Sequence, residues 1–270
     1  ISFYKDTQKT TPYQLHAYDY LEAHHASPFH TVCQSTDAIY AGCRSGDVAV
    51  YGLSSRAWSK VIAHGKPITC MSAPKKGGQT PLLTGSQRGN CAAHDPSTML
   101  EVGRASAHTA AVTWLHMWKP SCYLSTSSDG TAALWDARLP PKTRITKRFE
   151  HGTGIVQGVL FGQQTLCTAS LVLEKYENQL QSTKKKYIKR KSVHVRFWDM
   201  REGKATDDAK ITWNQVDIHD VLFQAASNDA IEGTRQNFTM LTVGTHKKQA
   251  SNRKETVLQG CDQRGVRQFS

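Results

Sequence analysis

CYLSTSSDGTAALWDA, residues 122–137, decides how the rest of this 270-residue chain is read. It is a short apolar run, a polar turn containing Gly130, and a second apolar run ending in Trp135. That is the pattern of a β-hairpin, because glycine enters the positive-φ conformation of a tight turn without a Cβ clash. Two upstream stretches repeat it, AIYAGCRSGDVAVYGL at 38–53 and PLLTGSQRGNCAAHDP at 81–96. The turn glycines Gly46, Gly89 and Gly130 are 43 and 41 residues apart. A fixed period of this size marks a repeat architecture.

The frame continues downstream less regularly. SVHVRFWDM (192–200) repeats the second arm of the hairpin, and VLQGCDQRGVRQFS (257–270) repeats strand, turn and strand. The closing aromatic or His then falls at Tyr51, His94, Trp135, Trp198 and Phe269, at spacings of 43, 41, 63 and 71. The two long intervals require insertions. One is LEKYENQLQSTKKKYIKRKS (173–192), polar and basic; the other divides between 227–236 and 246–255. Residues 211–270 read equally as one enlarged unit or two eroded ones.

Each unit also opens on a histidine. His24, His64 and His108 precede their closing residues by 27, 30 and 27 positions, and His151 stands in the same place ahead of the interrupted unit. After them come PFHTVCQ (28–34), PITCMSA (67–73), AAVTWLHMW (110–118) and TGIVQGVLF (153–161), each predicted as a strand. RAWSKVI (56–62) and TRITKRF (143–149) supply an outer strand. Four short strands every ~42 residues describe the blades of an all-β propeller.

At SSDGTAALWDAR (127–138) with His108, and VRFWDMR (195–201) with His151, the chain resembles the WD-repeat family. Ala63, Ala107 and Glu150 replace the glycine usual before the histidine, and Trp-Asp is kept only twice. The resemblance covers most of 23–201 and is fainter to 270. It implies a single propeller domain over 1–270, with five or six blades visible of the family's usual seven. The shortfall predicts degenerate final blades, a longer parent chain or completion by a partner. TPYQLHAYDYL (11–21) is the candidate closing outer strand. The resemblance also makes His24, His64, His108 and His151 structural, hydrogen-bonded inside the blades, together with Trp135, Asp136, Trp198 and Asp199.

Little in the chain points to catalysis. There is no H-E-x-x-H, no zinc-spaced His/Cys cluster and no G-x-S-x-G; TGSQRG (84–89) is a hairpin turn, and KKGGQT (75–80) lacks phosphate-loop spacing. No cofactor, no metal and no enzymatic activity are expected. No apolar run approaches the ~18 residues of a membrane span. The cysteines number seven, with no Cys-x-x-Cys, so reduced thiols in nucleus or cytoplasm are expected. Trp114, Trp118 and Trp213 are expected to pack between blades, and Trp58 to be exposed.

Two features remain for function. The first is charge: 34 Lys plus Arg against 22 Asp plus Glu, a net +12. It concentrates in the 173–192 insertion at Lys184, Lys185, Lys186, Lys189, Arg190 and Lys191 around Tyr187, and again at Lys247, Lys248, Arg253 and Lys254. Such runs neutralise phosphates, act as import signals, or are solvated loops. The family's strand order places the first between the second and third strands of the fourth blade, opening on the interaction face. The expected role is a non-catalytic scaffold for protein–protein contacts in a multisubunit complex, with RNA or another nucleic-acid backbone as candidate partner. Ribosome biogenesis and RNA processing are the settings favoured. The second feature is Trp-Asp-x-Arg, ending at Arg138 and Arg201. It is similar to the box by which WD-repeat substrate receptors dock on the adaptor of cullin-4 ubiquitin ligases, and it predicts those arginines on the opposite face.

Overall fold

The computed structural model describes residues 2–6, 15–20, 27–74, 80–161, 164–178, 186–212, 216–225, 238–247, 254–262 and 265–269. Among them every regular element is a strand. A two-stranded pair, β1 (Ser2–Asp6) and β2 (Leu15–Tyr20), precedes five four-stranded antiparallel sheets. The first contains β3 (Phe29–Gln34), β4 (Ala38–Cys43), β5 (Asp47–Gly52) and β6 (Ala57–Ile62). The second contains β7 (Ile68–Ser72), β8 (Leu82–Ser86), β9 (Asn90–His94) and β10 (Glu101–Ser106). The third is β11 (Val112–Lys119), β12 (Cys122–Ser127), β13 (Thr131–Asp136) and β14 (Ile145–Glu150). The fourth is β15 (Ile155–Phe161), β16 (Thr165–Asn178), β17 (Lys186–Asp199) and β18 (Ala205–Thr212). The fifth is β19 (Val216–Ala225), β20 (Phe238–Lys247), β21 (Lys254–Asp262) and β22 (Gly265–Phe269).

Within each sheet the strands lie side by side in chain order. The first strands of successive sheets touch in series, β3 to β7 to β11 to β15 to β19. Meandering sheets arranged around their first strands are the blades of a β-propeller. In the first three sheets the second and third strands are buried almost throughout on both faces, with small side chains at their centres. Ala41, Ala49, Ala92, Ala93, Ala132 and Ala133 let neighbouring sheets approach. Gly42 lies against Ile68 of the next sheet and Gly85 against Val112, each too close for a Cβ. At the corresponding place in the third sheet Thr126 takes up that volume, and Gly158 of the fourth sheet yields it. Threonines stitch the inner strands together: Thr69 Oγ1 donates to the Val112 carbonyl at 2.6 Å, and Thr113 Oγ1 to Ile155 at 2.9 Å.

The expected hairpins, inner strands and outer strands form, and Gly46, Gly89 and Gly130 adopt φ of 95°, 80° and 86°. Trp114 and Trp118 pack against the cluster joining the third and fourth sheets; Trp213 lies outside the described residues. Of the two readings open for residues 211–270, the structure has one sheet after the fourth sheet's outer strand. Other expectations are corrected. The pair formed by 257–270 is that sheet's third and fourth strands, so Phe269 is on an outer strand and Cys261-Asp262 ends the third. Residues 15–20 pair with β1 in a sheet of their own and close no blade. Trp58 is half-buried, because cross-strand Tyr51 covers its ring at 5.1 Å.

The largest correction concerns the basic insertion. It does not leave the blade as a loop: β16 and β17 run 14 residues each, paired from Thr165↔Asp199 out to Asn178↔Lys186. Six rungs, Leu173↔Lys191 to Asn178↔Lys186, extend past the Val172↔Ser192 pair, where the three-strand ladder with β18 ends. At ~3.3 Å per residue this is a ribbon of about 20 Å.

Candidate functional site

The ribbon rises from one face of the propeller, and a chain of contacts defines that face. The turn at Gly46 packs on the loop entering the second sheet, where a Cβ would strike the His64 carbonyl. Gln87 N donates to Pro67 O at 2.9 Å, tying that loop to the second sheet's turn. His108 N donates to Gly89 O at 3.1 Å, and Ser128 N to Ala111 O at 3.0 Å. His151 N donates to Gly130 O at 2.9 Å, and Thr153 Oγ1 to Ser170 Oγ at 2.7 Å, beneath the ribbon. The β20–β21 hairpin, ending at Lys247↔Lys254, occupies the same place in the fifth sheet.

Of the basic residues singled out, Lys186, Tyr187, Lys189, Arg190 and Lys191 are strand positions of β17, opposite Asn178, Glu177, Lys175, Glu174 and Leu173. Lys184, Lys185, Lys248 and Arg253 lie outside the described residues. Leu173, at the ribbon's base, is 58% exposed.

Buried histidines support this face from below. His64 Nδ1 accepts from Arg104 at 3.1 Å, so its Nε2 carries the hydrogen and donates to Thr84 Oγ1 at 2.9 Å. His108 sits between Ser125 Oγ (2.8 Å) and Thr131 Oγ1 (3.0 Å), with Asp129 at 3.4 Å. His151 lies 2.8 Å from Thr168 Oγ1 and 3.1 Å from Ser170 Oγ. Burial lowers all three from 6.5 to about 4; Arg104 adds to the effect at His64, and Asp129 opposes it at His108 without overcoming it. They are neutral structural groups near pH 7. His24 lies outside the described residues.

Arginines that composition alone counts as surface charge prove structural. Arg104 Nη2 donates to Ala63 O at 2.6 Å, Arg148 Nη1 to Ala107 O at 2.8 Å, and Arg196 Nη1 to Glu150 O at 3.2 Å. Each clamps the carbonyl before the histidine that opens its sheet. Arg144 likewise donates to the Arg104 carbonyl, and Lys147 Nζ to Met200 O at 3.0 Å. The sequence signal was the 44-residue interval between Arg104 and Arg148; Arg196 breaks it by acting from the third strand.

The opposite face carries the two Trp-Asp-x-Arg arginines, beyond the other ends of β13 and β17. They are in different states. Arg138 folds back on Asp136, with Nη2 at 2.6 Å from Oδ2 and Nε at 3.0 Å from Oδ1, and these bonds lower the carboxyl to about 2. The Arg201 side chain is exposed and bonds no described residue; only its backbone N donates to Asp199, at 2.6 Å. Trp135 and Trp198 are buried in the core, but only Trp198 Nε1 has a partner, Thr168 Oγ1 at 2.9 Å.

Among the described residues no group of three His, Cys, Asp or Glu is arranged to hold a metal ion, and no helix is long and apolar enough to cross a membrane. Cys33, Cys43, Cys70, Cys91, Cys122 and Cys167 form no disulfide.

No protein-family model matches the chain, and no curated protein does. Among solved structures it is similar to the crystal structure of a mitotic checkpoint complex, with TM-score 0.60 and 15% identity over 95% of this chain and 70% of that one. It is also similar to the computationally designed Ika4 protein, with TM-score 0.48 and 17% identity over 63% of this chain and 96% of that one. The first of these likenesses supports the propeller fold.

Proposed function

We propose that this chain is a WD-repeat-type, non-catalytic scaffold that presents its ribbon face to an RNA-containing multiprotein assembly. One observation carries the reading: the fourth sheet's second and third strands continue as a paired ribbon, where the third sheet turns back at Asp129-Gly130. The ribbon segment holds Lys175, Lys186, Lys189, Arg190 and Lys191 against Glu174 and Glu177. Paired backbone holds cations at regular intervals, so they meet a phosphate backbone without the ordering cost of a free loop. The propeller supplies the rigid mount. Ribosome biogenesis and RNA processing, in nucleus or cytoplasm, are the settings this chemistry suits.

The test is affinity purification of the tagged protein at physiological salt, with and without nuclease, and identification of partners by mass spectrometry. Ribosomal or RNA-processing partners lost on nuclease treatment are the expected result. Their complete absence from both samples contradicts the reading.

A second reading, a substrate receptor docking on the adaptor of a cullin-4-type ligase, is favoured by the unengaged Arg201 side chain on the opposite face. Arg138 weighs against a two-arginine dock, because it is already bound to Asp136. Recovery of a cullin with its adaptor, lost in Arg201→Ala, would put this reading first.

A further inference from the structure

The ribbon is not the only basic segment on its face. Arg44 and Arg88 both lie in hairpin turns, Arg44 the first residue after β4 and Arg88 the second after β8, and both are exposed. Lys66, also exposed, lies between them on the loop that joins those sheets. None of the three side chains bonds a described residue, unlike the clamping arginines above. The turns that carry the two arginines are held: Arg44 N donates to Pro28 O and Gln87 N, next to Arg88, to Pro67 O, both at 2.9 Å, beside the positive-φ Gly46 and Gly89. The nearest acids on these turns are already satisfied. Asp47 is buried and accepts from Ser45 Oγ at 2.7 Å, and Asp129 accepts from Thr109 N and Thr131 N, both at 2.9 Å.

We infer that Arg44, Lys66 and Arg88 belong to one phosphate-binding surface with the ribbon, and that its partner is a double-helical RNA segment laid across the face. This rests on the proposed RNA reading and names the substrate class of that site. Three features select a duplex. The turns are short and rigid, so their cations reach phosphates and not base edges. A helix of fixed phosphate spacing meets a fixed array without being ordered first, whereas a flexible strand must be. Single-strand platforms use aromatic stacking, and Phe29, at the start of β3, packs against the Ala41, Cys43 and Ala49 cluster instead. The A-form helix also offers its phosphates beside a wide, shallow groove suited to a flat contact.

The test measures binding of a fluorescent 20-base-pair RNA duplex by anisotropy between 50 and 200 mM salt. Comparison probes are a single strand of one of its sequences and a DNA duplex of the same length. Wild type is expected to bind the RNA duplex at least tenfold more tightly than the single strand, and more tightly than the DNA. The Arg44→Ala, Lys66→Ala, Arg88→Ala variant is expected to bind about tenfold or more weakly. Its log–log salt slope should be shallower by about 0.9 for each phosphate it no longer neutralises. An unchanged melting temperature verifies its fold. Equal or tighter binding of the single strand or the DNA overturns the duplex RNA assignment and leaves the scaffold reading standing. A triple variant that binds like wild type, while Lys175→Ala with Lys189→Ala, Arg190→Ala and Lys191→Ala does not, overturns the role of the three turn residues. A wild-type protein that binds no RNA overturns this inference and the RNA reading together.

Discussion

The third and fourth sheets are two versions of one unit, alike in the middle and different at both ends. In the middle each has a buried histidine bridging hydroxyls of the second strand, Ser125 for His108 and Thr168 with Ser170 for His151. Each also buries a tryptophan on the third strand. At one end the third sheet closes in a tight turn at Gly130, while the fourth continues as a ribbon. At the other end Arg138 is latched to its own Asp136, while the Arg201 side chain stands free. The lesson is that the hydrogen-bonded centre maintains the blade, and its two ends vary independently of it. Function is to be sought where the fourth sheet departs from the third.

The largest expected effect tests the shared centre. His64, His108 and His151 have folded-state values of about 4 against 6.5 ordinarily. Between those values the unfolded chain binds protons that the folded chain does not, so stability is complete above pH 6.5 and falls as pH drops toward 4. Asp136, lowered to about 2, adds loss only below its ordinary 3.8. Melting temperatures from pH 7.5 to 4 should therefore decline through that window; a flat profile would show that the histidines are not held neutral.

Single histidines come next. His108→Ala and His151→Ala are each expected to cost about 2 kcal/mol, because each removes a buried ring and its two hydroxyl contacts. The hydroxyls keep second partners in both sheets, Thr131 Oγ1 on Asp129 at 2.7 Å and Thr168 Oγ1 from Trp198 Nε1 at 2.9 Å. Denaturant titration that separates the two variants by more than about 1 kcal/mol would break the equivalence of the two centres. The tryptophans sharpen it further. Trp198→Phe removes a hydrogen bond and Trp135→Phe does not, so Trp198→Phe should be worse by about 1 kcal/mol. Smallest are the arginines. Arg138→Ala breaks an exposed pair and should lower the melting temperature only slightly, and Arg201→Ala should leave it unchanged.

The blades were legible in the sequence because their period survives substitution: the turn glycines, the opening histidines and the third-strand aromatics recur even where Trp-Asp is lost. The ribbon was not. Lysine-rich composition reads as a solvated loop, although Tyr176, Tyr187 and Ile188 are strand-forming residues, with Tyr176 and Ile188 paired across it. Phe269 drew the closing position of the last unit to itself because it is aromatic, when Cys261-Asp262 closes that third strand. Net charge misled in the other direction. Arg104, Arg148 and Arg196 bind backbone carbonyls, and only the folded geometry separates them from the free Arg44, Lys66 and Arg88.

The most direct test of the account removes the ribbon and leaves the blade. Val172 and Ser192 are paired, so an Asn-Gly turn joining them in place of residues 173–191 closes the hairpin where the three-strand ladder with β18 ends. The melting temperature and the RNA affinity of this variant are measured across salt concentrations beside wild type. The account predicts an unchanged melting temperature with RNA affinity reduced by tenfold or more and a shallower salt dependence. Full RNA affinity in the folded variant would contradict it.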